Sequence, residues 1–494
     1  MINMMDNYLI AGSCLLVGWF MWQAIWNVFL SPLRHIPGPL LAKITGQWLI
    51  FVDMAGDRTQ TIHELHKRYG PAVRIGPNEV SYADVETVKE IYSQQTEFMK
   101  APVYEDFTIG AITMFSMRNK TEHSQRRRLL SHAFSTANLS NTEPLIMEHI
   151  QKVVNRIDGC IGKEINMLLL FRKLSFDIIG ELFLGRSFGG LDNDSTPPFL
   201  VDMDKTFIVA GIKSNFWPIY QVVRWLPLPA VKHFLKSTDR LRQYGKTAFE
   251  TYVAQHGRDS GRKDLLTKIL SPKGRDETLT DFQVYSEIGN LVFAGTDTTS
   301  TTLTYLFWEL TRRPEWQLRL HKELSAQSEW VNGIPSYNQV KDLPILEAVI
   351  AEALRLHPAA PASLVRETPQ GGRVLNGVLI PEKTVVSAQC YTTQRDPVVF
   401  PNPDAYLPER WMELGEMSNE MKVLFMPFST GPRACLGKNL AMMELKMITA
   451  TLLRRFRVKS PSTTTEESMS MKDHFLVIPK GGKCDLIFEC YEKV

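Results

Sequence analysis

A ten-residue window near the C-terminus constrains this chain more than any other: Phe428-Ser-Thr-Gly431-Pro-Arg433-Ala-Cys435-Leu-Gly437. It reads F-x-x-G-x-R-x-C-x-G, and each fixed residue type has a physical reason to be there. A thiolate that ligates haem iron needs a tight loop whose backbone amides point at sulfur and hold its pKa down. Gly431 and Gly437 are expected to give the backbone that freedom. Arg433 can pair with a haem propionate, and Phe428 can pack against the macrocycle or the loop. Cys160, Cys390, Cys484 and Cys490 read instead as ordinary buried free thiols.

The rest of the composition sets a frame around that loop. The chain has 494 residues, 44% hydrophobic and 22% charged, which is ample material for a large core. No low-complexity linker or internal repeat divides the body, so one large domain is expected. A net charge of +3 is too small to argue for a nucleic-acid partner. The densest basic run, Arg126, Arg127 and Arg128, reads as a solvated face or an anion contact. Six cysteines without a pairing pattern fit a reducing compartment, and no C-x-x-C or H-x-x-x-H pair suggests zinc.

The first thirty residues differ from the body. The 23 residues from Tyr8 to Leu30 are apolar and carry no charge, long enough to cross a bilayer as a helix. Trp19, Trp22 and Trp26 fall at helical spacing, with Trp26 placed for an interface. The leader has Asp6 and no Lys or Arg, and its apolar run is too long for a cleaved signal. Arg34, His35 and Lys43 follow, which puts the body on the cytosolic side. The sequons at Asn119, Asn138 and Asn193 are then never glycosylated. Residues 31–39 carry Pro32, Pro37, Gly38 and Pro39 and read as a stiff extended hinge. The expected division is therefore 1–30 anchor, 31–39 hinge and 40–494 catalytic body.

A long helix is expected from about Thr280, where Thr280-Asp-Phe-Gln283 forms a capping box, to Arg313 before Pro314. Its interior holds Ala294-Gly295-Thr296-Asp297-Thr298-Thr299, a poor helix-forming stretch. Such a stretch makes sense where a helix opens locally and places hydroxyls beside a ligand. Gly295 would leave room for dioxygen, and Thr298 with Asp297 would organise a proton relay.

Glu352-Ala-Leu-Arg355 puts opposite charges at i, i+3 inside an apolar run, which implies a buried pair in need of further partners. Pro408-Glu-Arg410-Trp411 offers a second arginine. A Glu352–Arg355–Arg410 network is expected to brace the loop that carries Cys435, a structural role.

In order and spacing these four segments resemble the cytochrome P450 family over nearly the whole chain. With its anchor and hinge the chain looks like a eukaryotic microsomal member, similar to fungal secondary-metabolism monooxygenases. The resemblance implies a mainly α fold with small β-sheets and haem b held between the long helix and the Cys loop. It implies Cys435 as axial ligand, Asp297 and Thr298 as the proton-delivery pair, and electrons from NADPH through NADPH-cytochrome P450 reductase, with cytochrome b5 as an optional second donor. The family's W-x-x-x-R is here His123-Ser-Gln-Arg-Arg127, so His123 stands for tryptophan and still offers a hydrogen bond to a propionate. Arg366 looks like the further propionate arginine, and Lys438 and Lys446 like reductase contacts.

The resemblance thus implies a monooxygenase of the endoplasmic reticulum membrane acting on dioxygen and a lipophilic small molecule. Pocket candidates are Tyr104, Phe107, Ile112 and Phe115 in the Pro102–Arg118 loop, then Phe293, the Ala359–Leu364 stretch and Phe475. The aromatic, proline-broken segment 215–229 reads either as a loop in the membrane interface or as buried core. A terpenoid, polyketide, alkaloid or fatty-acid-like substrate is implied without choice among them. Two rivals stand: a haem-thiolate isomerase or dehydratase that does not use dioxygen, and a non-catalytic haem carrier. Neither needs the Asp297–Thr298 pair.

Overall fold

The long helix spans Asp281–Thr311, and the rest of the body packs on it. The computed structural model describes residues 2–108, 111–270, 279–412 and 417–491. Thr280 caps the helix as expected: its hydroxyl accepts the Gln283 N–H at 3.3 Å, and Gln283 Oε1 accepts the Thr280 N–H at 3.0 Å. From Thr299 to Leu310 every residue is buried, as suits the central helix of a large core. Its hydroxyls are satisfied without opening the helix. Thr296 and Thr298 donate back to the carbonyls of Val292 and Ala294, both at 2.7 Å. The expected local opening at Ala294–Thr299 is therefore corrected: the segment is continuous α-helix.

Against it lies the mostly buried helix Met167–Leu184. Gly295 serves that crossing, because a Cβ there would stand 2.6 Å from Ile179 Cδ1. Its missing side chain is thus a packing requirement between two helices.

Strands gather in small sheets beside the helices. The five-stranded sheet runs Ala72–Gly76, Glu79–Tyr82, Val385–Ser387, Arg366–Glu367 and Met99–Lys100 in spatial order. Its register sets Lys100 opposite Arg366. A three-stranded sheet pairs Asp485–Cys490 with Glu164–Asn166 and Phe456–Lys459. The hairpin Met471–His474 and Leu476–Pro479 turns on Phe475 at φ +79°.

The N-terminal helix Ile2–Ile25 continues through Trp26–Leu30. Its Ala11–Leu30 part, mean hydropathy 1.4 and none of it buried, is the one stretch among the described residues long and apolar enough to cross a membrane. The hinge is docked rather than a free spacer. Leu33 and Ile36 are buried, and Arg74 reaches the carbonyls of Asn27 at 2.8 Å and Pro77 at 2.6 Å.

Glu352 is the centre of the expected brace. Glu352 and Arg355 have fully buried side chains and form two hydrogen bonds, at 2.8 and 2.9 Å. The same carboxylate accepts Arg410 Nε at 3.0 Å, the Leu407 N–H at 2.8 Å and the Trp411 indole N–H at 2.9 Å. Arg355 spends its remaining donors on the carbonyls of Gln394, Pro403 and Ala405. The route to the Cys loop is indirect. Gln394 donates to Leu354 and Arg355 carbonyls and accepts the Met426 N–H at 3.1 Å, two residues before Phe428. Trp411→Phe keeps an aromatic ring but removes one donor from a buried carboxylate. It should cost about 1–3 kcal/mol, read as a lowered Tm, whereas an unchanged Tm would deny the indole its part in the brace.

Candidate active site

Cys435 sits just before the helix Lys438–Arg455, so the free N–H groups of that first turn are close to its sulfur. Sγ accepts the backbone N–H groups of Gly437 and Lys438, and the Cys435 N–H donates to the Phe428 carbonyl at 2.8 Å. Gly431 has φ +68°, and a Cβ there would stand 2.1 Å from the Tyr92 carbonyl oxygen, so only glycine fits. Gly437 differs: φ is −83°, open to any residue, and its contribution is its amide. Phe428 is half-buried against the core, with the Lys438 ammonium 5.9 Å from its ring centre. Burial pushes the Cys435 thiol pKa up, while the two amides and the Arg127 charge pull it down. The residue is nevertheless exposed.

Five basic side chains converge beside this loop. His123 and Arg127 lie one turn apart on the helix Lys120–Ser131, which Asn119 caps by accepting the Thr121 and Glu122 N–H groups. Arg433 comes from the loop, and Lys100 and Arg366 face each other in the sheet. Burial, then Arg433, Lys100, Arg127 and Arg366, drives the His123 pKa down to about 3, so the imidazole is neutral. Burial pushes Lys100 well below its ordinary value, with Arg366 and Arg433 adding to it. Arg433 falls to about 10, chiefly by burial. Their hydrogen bonds go to carbonyls: Arg433 to Met117 and Arg118, Arg127 to Ala434 at 2.7 Å, Arg366 to Val365 at 2.9 Å, and Lys100 to Phe115. Among the described residues none of the five has a carboxylate partner. A buried, mutually repelling set of basic groups is built to receive an anion.

Asp297 and Thr298 lie on the face of the long helix one turn after Ala294, which is itself exposed in the middle of that core helix. Arg172, from the helix Met167–Leu184, grips Asp297 with two hydrogen bonds at 2.6 and 3.1 Å and reaches Asp204 at 3.2 Å. Burial raises the Asp297 carboxyl, and the Arg172 guanidinium opposes that rise. Farther along, Phe107, Phe115 and Phe475 form an aromatic wall with ring centres 5.1–6.0 Å apart, joined by Tyr104 at 5.5 Å from Phe115. Phe107 and Phe293 line a small pocket of about 30 Å3. Ile112 is exposed, Leu364 gives its carbonyl to Tyr92, and residues 109–110 of the loop lie outside the described residues.

The family model that matches this sequence, cytochrome P450, covers residues 36–486. The chain belongs to the cytochrome P450 family. It is 33% identical to cytochrome P450 monooxygenase tazI of Aspergillus terreus, over 93% of this chain and 94% of that one. It is 30% identical to cytochrome P450 monooxygenase stcB of Emericella nidulans, over 94% and 90%. Averantin hydroxylase of Dothistroma septosporum is 32% identical, over 90% and 84%. The crystal structure of the cytochrome P450DA heme domain superposes with a TM-score of 0.78 at 19% identity, over 92% of this chain and 97% of that one, which shows the shared fold.

Haem is therefore the cofactor of this P450, and the donor set fits it: one thiol poised by helix N–H groups, and a basic cluster for two propionates. Lys100 and Arg172 carry no signal of this role in the local sequence pattern that first marks the site. A two-residue strand gives Lys100 no periodicity, and Arg172 is one of four charges in its helix, Lys173, Asp177 and Glu181 being the others. Two expectations need correction. Lys446 is buried, bonded to the Lys341 carbonyl and Glu347, so it offers nothing to a reductase surface. Arg126 is not solvated but buried against Glu287 at 2.9 Å. Two glycine variants separate the roles within the loop. Gly431→Ala should abolish the red-shifted Soret band of the reduced carbon monoxide complex, and Gly437→Ala should retain it. Equal loss in both would refute the backbone account.

Proposed function

We propose that this P450 is an N-terminally anchored enzyme of the endoplasmic reticulum membrane. It takes electrons from NADPH through cytochrome P450 reductase, with cytochrome b5 as an optional donor, and oxidises a lipophilic secondary metabolite. The observation that carries the reading is the Asp297–Thr298 pair, held by Arg172 on the helix that faces the cofactor site. Thiolate-ligated haem supplies dioxygen activation and insertion of one oxygen atom into a C–H bond.

The chain's own residues do the rest. Cys435, with N–H donors from Gly437 and Lys438, would supply the thiolate that holds the haem iron. His123, Arg127, Arg366, Arg433 and Lys100 would hold the propionates by hydrogen bond and charge. Thr298 holds a hydroxyl proton at Oγ1, donated to the Ala294 carbonyl at 2.7 Å, and a rotation about χ1 would free that proton for delivery. Asp297 keeps the proton supply beside it, with Arg172 setting its orientation and charge. An isomerase, dehydratase or haem carrier would have no use for this arrangement.

Membrane anchoring is supported by the exposed Ala11–Leu30 helix. The 215–229 segment, which could have been core, folds with the helix Trp217–Val223 and no buried residue in it. Its Trp225 is 78% exposed and Val222 67%, a surface suited to the lipid interface. An apolar route from lipid to the aromatic wall suits a terpenoid, polyketide or alkaloid, and one relative is named for averantin.

Two measurements test the reading. Reduced microsomes expressing the chain should give a strongly red-shifted carbon monoxide difference band that Cys435→Ala abolishes. With reductase and a turned-over substrate, Thr298→Ala should keep consuming NADPH while product falls on the order of a hundredfold and peroxide rises. Tightly coupled turnover in that variant would sink the relay.

A further inference from the structure

Residues 111–118 carry Phe115 of the aromatic wall, yet none of them lies in a helix or strand. Their backbone therefore needs partners from elsewhere. Within the segment, Ser116 Oγ accepts the Thr113 N–H at 3.1 Å, and the Thr113 carbonyl accepts the Met117 N–H at 2.9 Å. Charged side chains from other elements supply more. Lys100 donates to the Phe115 carbonyl, and Arg433 to the carbonyls of Met117 and Arg118 at 2.8 and 2.7 Å. Glu287 of the long helix accepts the Met114 N–H on Oε1 at 2.8 Å. Its side chain is 1% exposed, and the same oxygen accepts Arg126 Nη1 at 2.9 Å. Arg126 belongs to the helix Lys120–Ser131, which also carries His123 and Arg127. One carboxylate oxygen thus joins the long helix, the wall segment and the helix of the basic cluster. Burial pushes the Glu287 pKa up to about 7, against the pull of Arg126 and the Met114 amide. An apolar pair of similar volume often replaces a buried ion pair with no loss of stability. What such a pair cannot do is accept the Met114 N–H.

We propose that Glu287 is a positioning residue for substrate binding: through the Met114 amide it fixes Phe115, and with it the aromatic wall, against the long helix. The inference rests on the monooxygenase reading and assigns the residue that sets the wall of that same site. Phe115 follows Met114 directly, and its ring stands 5.8 Å from Phe107 and 6.0 Å from Phe475. Thr113 precedes Met114 and lines the small pocket together with Ser286 and Gly289 of the long helix. Losing the one bond at Met114 therefore loosens both. A wall already in place binds an apolar ring without first having to be ordered. The role of Glu287 then shows in local order and in selectivity for rings, which a merely stabilising ion pair would not govern.

The test uses full-length detergent-solubilised protein and two double variants, both of which remove the ion pair. Arg126→Met with Glu287→Gln keeps an amide oxygen for the Met114 N–H, whereas Arg126→Met with Glu287→Leu does not. Hydrogen exchange across 111–118 should be about tenfold faster in the leucine variant than in the glutamine variant, as for one lost hydrogen bond. The helix Lys120–Ser131 should exchange alike in both. Imidazole and 4-phenylimidazole then probe the wall, with binding read by the haem absorption shift. The preference of wild type for the phenyl probe should survive in the glutamine variant and fall about tenfold in the leucine variant. Equal exchange in the two variants, or faster exchange spread over the whole chain, would overturn the proposal. So would a phenyl preference that does not fall in the leucine variant. The exchange readout stands apart from the carbon monoxide band. Local loosening at 111–118 in protein without that band would keep the role of Glu287 and discard the monooxygenase reading.

Discussion

The carboxylate of Glu352 is the interaction on which the proximal half of this P450 depends. A fully buried carboxylate is costly unless every lone pair is used, and this one receives Arg355, Arg410, Trp411 and the Leu407 amide. Those donors come from segments far apart in sequence. The carboxylate thus closes the long connection between the helix Pro344–Leu356 and the thiolate loop, a stretch of short strands and short helices. Gln394 then carries the restraint to Met426, and the loop hangs from Phe428 onward. What the iron ligand needs is a fixed backbone. Here that backbone is fixed by polar contacts rather than by sheet or helix.

A second constraint works within the loop. Sulfur in a dry setting prefers to keep its proton, and the protein opposes this with two amides, the start of a helix and Arg127. Gly431 is the one place where side-chain chemistry yields to geometry, since the chain passes so close to Tyr92 that no Cβ fits. These two demands explain why the window of fixed residue types is so short and so dense.

That density is why the site could be read from the sequence. The thiolate loop, the capping box at Thr280 and the Glu352–Arg355 pair are local patterns whose partners lie within a few residues, so spacing alone exposes them. What stayed hidden depends on tertiary juxtaposition. Lys100 joins the basic cluster only because its strand pairs with that of Arg366. Arg172 reaches Asp297 across a helix crossing, and Gly295 is small for the sake of Ile179 on that same crossing. Trp411 gives no local signal of a partner, yet its indole N–H joins the Glu352 carboxylate. Arg126 and Lys446 misled for the converse reason: a charge in sequence is assumed solvated until a buried partner is found.

The basic cluster also links the cofactor to folding. His123, Lys100 and Arg433 all have their basicity lowered by burial and by neighbouring charges of the cluster, so charge at these positions costs the folded chain more than the unfolded one. An anion that binds only the folded state offsets that cost and adds stability in proportion to the logarithm of its concentration over its dissociation constant. Propionates placed among these side chains would do this, and a thiolate held in its folded loop would add to it. Haem loading and folding are then one equilibrium seen from two sides. The Glu352 network, independent of any ligand, holds the thiolate loop in shape before that loading begins.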